Sequence, residues 1–511
     1  MTQTMRRRDF LAAGLGLAIG GLFVGRVTAQ AARPDKYNVL FISIDDLRTL
    51  LGCYGHPEVV SPNIDRLAAE GALFTETHCQ AAACAPSRVS MMSGVRPTTS
   101  GAYYFVPMRE KMPEVLSLPE HFRENGYRTL SYGKIYHYGL RDDDRGWSEH
   151  PWMPHGQIKG YMAPDSHAMQ QQLALEAGEP ENWVNRNGPS TEMADIPEEA
   201  YPEAKLVDRA IETLENIGDE PFFLGVGFIR PHLPFAAPKK YWDLYERDAI
   251  DLAENRAPIE NATDYTIPVW WELRQYTEAP SRGNPPPPVS DAMARKLIHG
   301  YRACVSFVDN QVGRLLDALE AQGLAENTVV ILWGDHGFHL GEHDYFAKAT
   351  NLDVATRCPM ILRTPDQEQR GLRIDALTEL VDIYPTLCEA AGLETPPHVE
   401  GLSVVPLLAE PDLPWKKGAF TQYPRWPRLD KSGDVPLPPD GVMGYTVRTA
   451  EHRYVEWVRQ EDAAVLANEL YDYAADPLEQ VNVAGQEAYA AVEARLSQLL
   501  HDGWEAALPA S

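Results

Sequence analysis

Residues 37–46 are YNVLFISIDD, an apolar run that ends directly in two carboxylates. An apolar run of this length bounded by charge is typical of a buried strand. Three further stretches repeat the pattern: FFLGVGFI at 222–229 precedes RPH, TVVILW at 328–333 precedes GDHG, and YRTLSY at 127–132 precedes GKIYH. The sequence therefore predicts four buried strands, each followed at once by charged or polar side chains.

The segments between these runs have helical periodicity, most clearly at 291–322, where the pattern ends near Gly323. Apolar strands that alternate with amphipathic helices predict an α/β fold, with a mixed, mainly parallel sheet sandwiched by helices. In open sheets of this kind, ligands bind beyond the carboxyl ends of the strands. We expect the four strands to bring their polar residues to one site. The alternative is that each charge only marks where a buried strand reaches the surface.

The polar residues that follow two of the strands form a set suited to a metal ion. Asp45, Asp46, Asp335 and His336 supply three carboxylates and one imidazole, which suits a hard divalent cation such as Ca²⁺ or Mg²⁺. A histidine is less usual for calcium, so this chemistry leaves the ion open. Zinc hydrolases prefer more nitrogen or sulfur ligands, and the sequence contains no HExxH motif.

The charge balance of the chain excludes one class of partner. The 511 residues include 46 Lys and Arg against 73 Asp and Glu, a formal net charge of −27. Nucleic-acid binding needs a basic face that neutralises phosphates, so we expect no nucleic-acid partner. An anionic substrate would require a few positive residues clustered in one pocket. Six cysteines do not make a disulfide framework in so long a chain; Cys53 and Cys79 could pair, but most should be buried apolar side chains.

Residues 1–31 are interpreted as a targeting segment. RRDFL at 7–11 fits the twin-arginine pattern, and an apolar run of about fifteen residues and several small residues follow it. We predict export by the twin-arginine machinery, and hence a periplasmic or secreted protein. An N-terminal membrane anchor is the alternative, although the apolar run is short for a bilayer; we do not expect an integral membrane protein.

The rest of the chain is divided into a large domain, 36–405, and a smaller C-terminal α+β subdomain, 406–507. In the subdomain, GYTVRTAEHRYVEWV predicts two short antiparallel strands, and VEARLSQLLHDGWEAAL predicts a closing helix. Within the large domain, 141–200 is interpreted as an insertion over the sheet edge. The proline-rich stretch 255–290 predicts long ordered loops or a lid.

The stretch CQAAACAPSRVSMMSGVRP at 79–97 places Cys84 ahead of PSR, without the spacing of a zinc site. CAPSR followed by MSG resembles the signature of the type I sulfatase family. The resemblance covers nearly the whole chain after residue 36, through NVLFISIDDLR, GKIYH, RPHLPF, YRACVSFVDNQVGRLL, GDHGFHLGEH and ELYDYAADPLEQVNVA. The subgroup that it resembles is that of the iduronate-2-sulfatases. This resemblance implies an alkaline-phosphatase-like fold with a catalytic domain over 36–405.

In that family a dedicated enzyme oxidises the signature cysteine to Cα-formylglycine. The resemblance therefore implies a formylglycine-generating enzyme as a partner and the hydrated aldehyde at position 84 as the nucleophile. One geminal hydroxyl attacks sulfur, and the second then expels sulfate, so no water attacks the intermediate. The implied metal, calcium with magnesium as the alternative, would stabilise the nucleophile and the charge on the sulfate. Its implied ligands are Asp45, Asp46, Cys84, Asp335 and His336.

The same resemblance implies roles for five more residues. Arg88, expected in the first turn of the next helix, would anchor the formylglycine, and the free N–H groups of that turn favour an anion. Lys134 and Lys348 would hold the sulfate oxygens as point charges. His232 would protonate the leaving alcohol, and His137 would accept a proton when sulfate is eliminated.

The implied substrate is a sulfated carbohydrate, with heparan- or dermatan-type uronates and algal polysaccharides left open. The chain departs from the subgroup at Phe338, His339 and Tyr345, which we expect at the substrate rim. The candidate rim contacts are Trp147, His150, Trp152, Arg230 and His339.

Two other classes are considered. One is a phosphatase or phosphodiesterase of the same superfamily, against which the intact CAPSR motif argues. The other is an inactive secreted glycan-binding protein, which predicts a broken catalytic set, whereas every role named above is filled.

Overall fold

The structure is a computed structural model that describes residues 36–137, 145–154, 159–268, 272–279, 287–425 and 441–509. The predicted targeting segment, 1–31, lies outside these ranges. The described residues from Lys36 onward belong to one compact unit. Within the described ranges, no helix combines the length and apolar character needed to cross a membrane.

The core of the fold is a seven-stranded mixed sheet of order β3-β5-β1-β7-β8-β2-β9. The strands are β1 Asn38–Ile44, β2 Ala72–His78, β3 Arg128–Gly133, β4 Thr191–Ala194, β5 Phe222–Phe228, β6 Phe235–Pro238, β7 Thr328–Gly334, β8 Arg357–Arg363, β9 Leu372–Glu379, β10 Ala419–Arg425, β11 Val442–Arg448, β12 His452–Arg459 and β13 Val465–Asp472. The four predicted strands are β1, β3, β5 and β7, and they are adjacent and parallel. Strand β8 runs antiparallel to both of its neighbours. The predicted α/β class is therefore confirmed.

Helices cover both faces of this sheet. The helices of the described residues are α1 Pro62–Glu70, α2 Cys84–Ser93, α3 Pro97–Ser100, α4 Met108–Lys111, α5 Leu118–Glu124, α6 Pro164–Glu176, α7 Pro202–Asn216, α8 Lys239–Trp242, α9 Asp291–Ala321, α10 Asp353–Thr356, α11 Ile383–Ala390, α12 Val405–Ala409 and α13 Ala490–Asp502. The predicted helix at 291–322 is α9, and the Ser290 hydroxyl caps it by accepting a bond from the Met293 N–H.

Alternate residues of β1 face opposite layers, as the two-residue period of a strand requires. Leu40, Ile42 and Ile44 pack in one apolar layer with residues of α1, α7 and α9. Val39 and Phe41 pack in the other with residues of α2, α5 and α11. All seven residues of β1 are buried. Because both faces of β1 are buried, the run at 37–44 is apolar along most of its length rather than alternating between apolar and polar residues.

A second sheet, of order β10-β11-β12-β13, is antiparallel throughout. The two predicted C-terminal strands are β11 and β12, and β10 and β13 extend them to four strands. Leu496 of α13 packs on Val447 and Tyr454 of this sheet, so α13 is the predicted closing helix. At β10, Gln422 N–H donates to the Gln80 carbonyl at 2.9 Å. The second sheet therefore contacts the loop that precedes Cys84. The domain boundary at 405/406 stays a prediction.

The two inserted segments differ in content. The segment 141–200 includes α6 and β4, and β4 pairs with β6 in a small parallel sheet. The described part of 255–290 is loop, apart from a 3₁₀ turn at Glu272–Gln275 and an isolated β-bridge from Glu260 to Val481. All six cysteines are free and five are buried, so Cys53 and Cys79 do not pair.

Candidate active site

The carboxyl ends of the four central strands carry the predicted site residues to one sheet edge. Asp45 and Asp46 follow β1, and Asp335 and His336 follow β7. Lys134 follows β3 directly, and His232 lies four residues beyond the end of β5. Because β3, β5, β1 and β7 are parallel neighbours, their ends meet. The alternative, that each charge only marks an emerging strand, does not account for the contacts that these side chains make with one another.

A cluster of potential metal ligands lies at this edge. One ligand atom from each of Asp45, Cys84, Asp335 and His336 lies within 4.8 Å of the others, and the same holds for Asp45, Asp46, Cys84 and His232. His336 Nδ1 is 2.8 Å from the Gly337 carbonyl oxygen, which can only accept a hydrogen bond. Nδ1 therefore carries a proton, and Nε2, which faces Asp46 and Asp335, is the ring atom placed to bind a metal ion. The donor set fits a hard divalent cation, as the sequence predicts.

Each carboxylate of the cluster is matched by a buried cation. Lys134 Nζ donates to Asp45 Oδ2 at 2.5 Å, Lys348 Nζ to Asp46 Oδ2 at 2.9 Å, and Arg88 Nε to Asp335 Oδ2 at 2.9 Å. Burial alone would raise the pKa of Asp45, but Lys134, His232 and Arg88 hold the pKa of this carboxyl well below its usual range. The carboxylates and the buried cations of the site therefore balance one another in pairs.

The two lysines stay charged although they are buried. Burial lowers the pKa of Lys348, but Asp46 and Glu272 together hold it well above the usual value for lysine. Burial likewise lowers the pKa of Lys134, but the attraction of Asp45 outweighs this effect, and the pKa lies above the usual value for lysine. Two fixed ammonium groups are thus available to an anion bound at this edge.

Helix α2 begins at Cys84, and all ten of its residues are buried. Arg88 follows one turn later, so its side chain and that of Cys84 lie on the same helix face. The guanidinium donates to Ser43 Oγ at 2.8 Å and to the carbonyl oxygens of Lys134 and Ile135 at 2.7 and 3.0 Å. Arg88 therefore joins the start of α2 to the ends of β1 and β3.

Cys84 lies against the ligand cluster. Its Sγ is 3.3 Å from His336 Nε2 and 4.0 Å from Asp46 Oδ1. Burial raises the pKa of the Cys84 thiol well above its usual value, and Asp45 adds to this effect. Since only the thiolate is a strong nucleophile, unmodified Cys84 is a poor one.

The two predicted proton-transfer histidines occupy different surroundings. His232 Nδ1 is 2.6 Å from the Leu233 carbonyl oxygen, and Nε2 is 3.3 Å from Glu272 Oε1. The ring of His137 lies edge-on to that of Phe105, with centroids 4.7 Å apart. His232 therefore lies next to the potential metal ligands. His137 lies beside an exposed aromatic residue.

Two residues at the site were not predicted from the sequence. Glu272, on the 3₁₀ turn of the proline-rich stretch, contacts both His232 and Lys348. Phe105 is 38% exposed beside His137. The only sequence signal for Phe105 was the run of three aromatic residues at 103–105, and nothing in the local sequence distinguishes Glu272 from other lid carboxylates.

Three of the five predicted rim contacts are wrong because their side chains are buried. Trp147 packs against Phe223 in the core. Arg230 is fully buried and donates to the carbonyl oxygens of Ala236 and Lys159. His339 is fully buried, with Nε2 2.9 Å from Thr350 Oγ1.

The chain's departures from the subgroup also lie inside the protein. Phe338 stacks on Tyr301, and Tyr345 packs edge-on to His339. Both Phe338 and Tyr345 are buried, so the prediction that these positions form the rim is wrong. His150 and Trp152 are exposed, and their role as rim contacts stays a prediction.

A mixed α/β sheet whose edge carries carboxylates, buried cations and a helix N-terminus is suited to bind an anion beside a metal ion. Residues 37–393 match the Sulfatase family model, and residues 341–505 match the model described as N-sulphoglucosamine sulphohydrolase, C-terminal. The chain belongs to the sulfatase family and is a sulfuric ester hydrolase.

The similar proteins cover most of the chain. It is 35% identical to iduronate 2-sulfatase of Mus musculus, over 88% of this chain and 91% of that protein. It is 34% identical to iduronate 2-sulfatase of Homo sapiens, over 93% and 96%. Among solved structures, a phosphonate monoester hydrolase of Agrobacterium radiobacter superposes with a TM-score of 0.72 at 23% identity, covering 91% of this chain and 95% of that one. The similarity to the phosphonate monoester hydrolase shows a shared fold and does not extend to its activity.

Proposed function

We propose that this protein removes sulfate from a sulfated uronic acid or related sugar, with a formylglycine made from Cys84 and one divalent metal. The observation that carries the proposal is the position of Cys84. It begins a buried helix and lies against Asp46 and His336, where Lys348 also contacts Asp46. A nucleophile, a cation site and a lysine for the sulfate oxygens are thereby combined.

The environment of Cys84 supports the modified residue over the thiol. Burial and Asp45 both disfavour the thiolate by raising the pKa of Cys84. The hydrated aldehyde of formylglycine would supply a hydroxyl nucleophile, together with a second hydroxyl whose oxygen re-forms the carbonyl as sulfate leaves. The proposal therefore requires a formylglycine-generating enzyme in the host that produces the protein.

The cation would be held by Asp45, Asp46, Asp335, His336 and residue 84. Calcium is proposed, with magnesium as the alternative, because oxygen ligands predominate. When bound, it would supply a Lewis acid that lowers the pKa of the nucleophile and offsets charge on the sulfate.

The chain's own groups account for sulfate binding. Lys134 and Lys348 are buried ammonium groups on two sides of the cluster, paired with Asp45 and Asp46 respectively. The free N–H groups at the start of α2 add a favourable dipole for an anion. With the divalent cation bound, positive charge at the site would exceed the charge of its carboxylates, so a protein of net charge −27 could bind a singly charged sulfate ester there.

His232 and His137 are proposed to move the two protons. His232, at the cluster, would protonate the oxygen of the leaving sugar. His137 would accept the proton released when sulfate is eliminated. Imidazole suits both steps because its ordinary pKa, about 6.5, lies close to neutral pH.

The substrate class follows from the relatives and from one exposed ring. The two iduronate 2-sulfatases are at least 34% identical over most of their length, which favours a uronate sulfate. Phe105, beside His137, offers an apolar face against which a sugar ring can pack. We further propose export of the folded protein to the periplasm through the twin-arginine pathway, on the basis of residues 1–31.

Turnover of an aryl sulfate and the matching aryl phosphate tests the proposal. The protein would be produced with a formylglycine-generating enzyme, and the Cys84 peptide would be checked for the loss of about 18 Da that accompanies conversion to the aldehyde. We expect sulfate turnover to exceed phosphate turnover, a Cys84→Ala variant to be inactive, and a 2-O-sulfated uronate disaccharide to be desulfated. Faster phosphate turnover would indicate a phosphatase, and glycan binding without turnover would indicate a lectin-like protein.

A further inference from the structure

One carboxylate of the proline-rich stretch touches two residues of the proposed mechanism. Glu272 Oε1 lies 3.3 Å from His232 Nε2, and Glu272 Oε2 lies 2.8 Å from Lys348 Nζ. The side chain is 22% exposed, so most of it is withdrawn from solvent. Glu272 therefore links the proposed proton donor for the leaving oxygen to a proposed sulfate-binding cation.

The ring of His232 is held between two acceptors. Its Nδ1 faces the Leu233 carbonyl oxygen at 2.6 Å, and a carbonyl oxygen can only accept. Nδ1 therefore carries a proton. The carboxylate of Glu272 also only accepts, so it is placed to orient an N–H at Nε2. A proton on Nε2 is what a general acid needs. At 3.3 Å this bond is at the long end of the normal range, so the N–H can turn to a substrate oxygen.

Lys348 is held by the same carboxylate from another side. An ammonium group has three donors, and Asp46 and Glu272 engage Lys348 Nζ together, at 2.9 and 2.8 Å. Two fixed partners immobilise a long, flexible side chain that would otherwise sample many rotamers. The burial of Glu272 would raise its pKa, but His232 and Lys348 lower the pKa to about 2. Glu272 is therefore a carboxylate near neutral pH and can accept from both groups.

We propose that Glu272 is a positioning residue for sulfate-ester cleavage, which orients His232 Nε2–H towards the leaving oxygen and fixes Lys348 against the sulfate. This inference rests on the proposed function. In the step concerned, the bond between sulfur and the sugar oxygen breaks, and its electron pair stays on that oxygen. The oxygen takes the proton from His232 Nε2, which leaves a neutral imidazole, and Glu272 remains a carboxylate. A hydroxyl of the formylglycine hydrate at position 84, whose proton has passed to solvent before the attack, forms the new bond to sulfur through its oxygen.

Substitution of Glu272 by Gln tests the orientation of His232. The amide keeps the shape of the side chain, but His232 and Lys348 contact different oxygens of Glu272, so the NH2 group that replaces one oxygen would face a donor. For an alkyl or sugar sulfate, whose leaving oxygen must be protonated, we expect kcat/KM of Glu272→Gln to fall by about 10²-fold. For 4-nitrophenyl sulfate, whose leaving group needs no proton, we expect a fall of less than about tenfold. Both substrates should share a loss of that smaller size, because both need Lys348 to be held against the sulfate.

The matched control is Glu278→Gln, on the same segment. Glu278 pairs with Lys296 at 2.8 Å and accepts a bond from the Ser190 N–H. The control should keep kcat/KM for both substrates, with formylglycine content equal to that of the wild type. Glu272→Asp, which keeps the charge but shortens the reach, should show a smaller loss with the same preference for poor leaving groups. If the Glu272→Gln variant does not fold, the Glu272→Asp variant takes its place in the test.

The outcomes separate the two proposals. Equal losses for both substrates, or no loss for either, would show that Glu272 does not act through His232, and the inference would fall while the proposed function stood. A wild-type protein that carries formylglycine but cleaves neither sulfate would overturn both proposals.

Discussion

Arg88 Nε lies 2.9 Å from Asp335 Oδ2, and both side chains are fully buried. The pair joins the helix that begins at Cys84 to the end of β7. Arg88 Nη2 also reaches Asp45 Oδ1 at 3.3 Å, so one guanidinium serves two carboxylates. The net contribution of a buried ion pair is small, because desolvation offsets the attraction. Removal of one partner is costly, because it leaves buried charges unpaired.

Arg88→Ala should therefore lower the free energy of unfolding by about 3–5 kcal/mol. Arg88→Lys should lower the free energy of unfolding by less, because it keeps the positive charge. Some loss is still expected, because lysine lacks the several donors with which Arg88 reaches Ser43 and two carbonyl oxygens. Urea unfolding of the metal-free proteins measures both. A loss below about 1 kcal/mol for Arg88→Ala, as for an exposed pair, would contradict the interpretation.

Metal removal is expected to destabilise the protein and abolish sulfatase activity. Calcium added back at about a hundred times its dissociation constant should restore about 2.7 kcal/mol of stability. Asp46→Asn should weaken this response, because it removes one negative charge from the ligand set. Asp46 has a positive φ of 58°, a conformation that Asn tolerates, so the substitution should not disturb the backbone. Thermal unfolding with and without calcium provides the measurement, and an unchanged calcium response in Asp46→Asn would exclude Asp46 as a ligand.

Phe105 should affect substrate binding rather than chemistry. Phe105→Ala removes the apolar face beside His137, and the loss of about 1 kcal/mol of contact would raise KM for a sulfated disaccharide about fivefold. The kcat value should stay within about twofold, because the lost interaction is made equally in the ground state and the transition state. Phe105→Tyr keeps the ring and is the control. A fall in kcat with KM unchanged would instead place Phe105 in the positioning of His137.

Much of the fold could be predicted from strand composition. A strand buried on both faces must be apolar along its whole length, and the first charge marks its end. This physical constraint located β1, β3, β5 and β7, each within one residue or so of its observed bounds. It also predicted that Asp45 and Asp335 meet, since parallel neighbours end at the same edge.

The rest of the site depends on contacts that are distant in sequence. Glu272 lies forty residues beyond His232 in a stretch without regular periodicity, so nothing local predicts that the two side chains meet. The rim errors have a related cause. Trp147, Arg230 and His339 have polar groups, but a polar group can be buried when hydrogen bonds satisfy it, as the Glu342 carbonyl and the Thr350 hydroxyl do for His339. Residue type alone does not separate that case from a ligand contact.

A carboxylate remote from the site should make stability depend on pH. Asp309 of α9 accepts hydrogen bonds from the N–H groups of Asn63 and Ile64 at 3.0 and 2.8 Å, and so caps the start of α1. Burial raises the pKa of Asp309 from 3.8 to about 6, although these bonds partly offset the effect. Between these values the folded state keeps a proton that the unfolded state has lost. The contribution of Asp309 to stability is therefore full below the lower pKa and is lost as pH rises to about 6.

Asp309→Asn isolates this contribution, because the amide does not titrate and its oxygen can still accept from the helix. Relative to the wild type, the variant should gain stability between pH values of about 4 and 7, by about 3 kcal/mol at most. Urea unfolding of both proteins across this range gives the difference directly and cancels the other titrating groups. If the difference between variant and wild type were flat with pH, Asp309 would have to be ionised in the folded protein already at pH 4, and burial would not dominate its pKa.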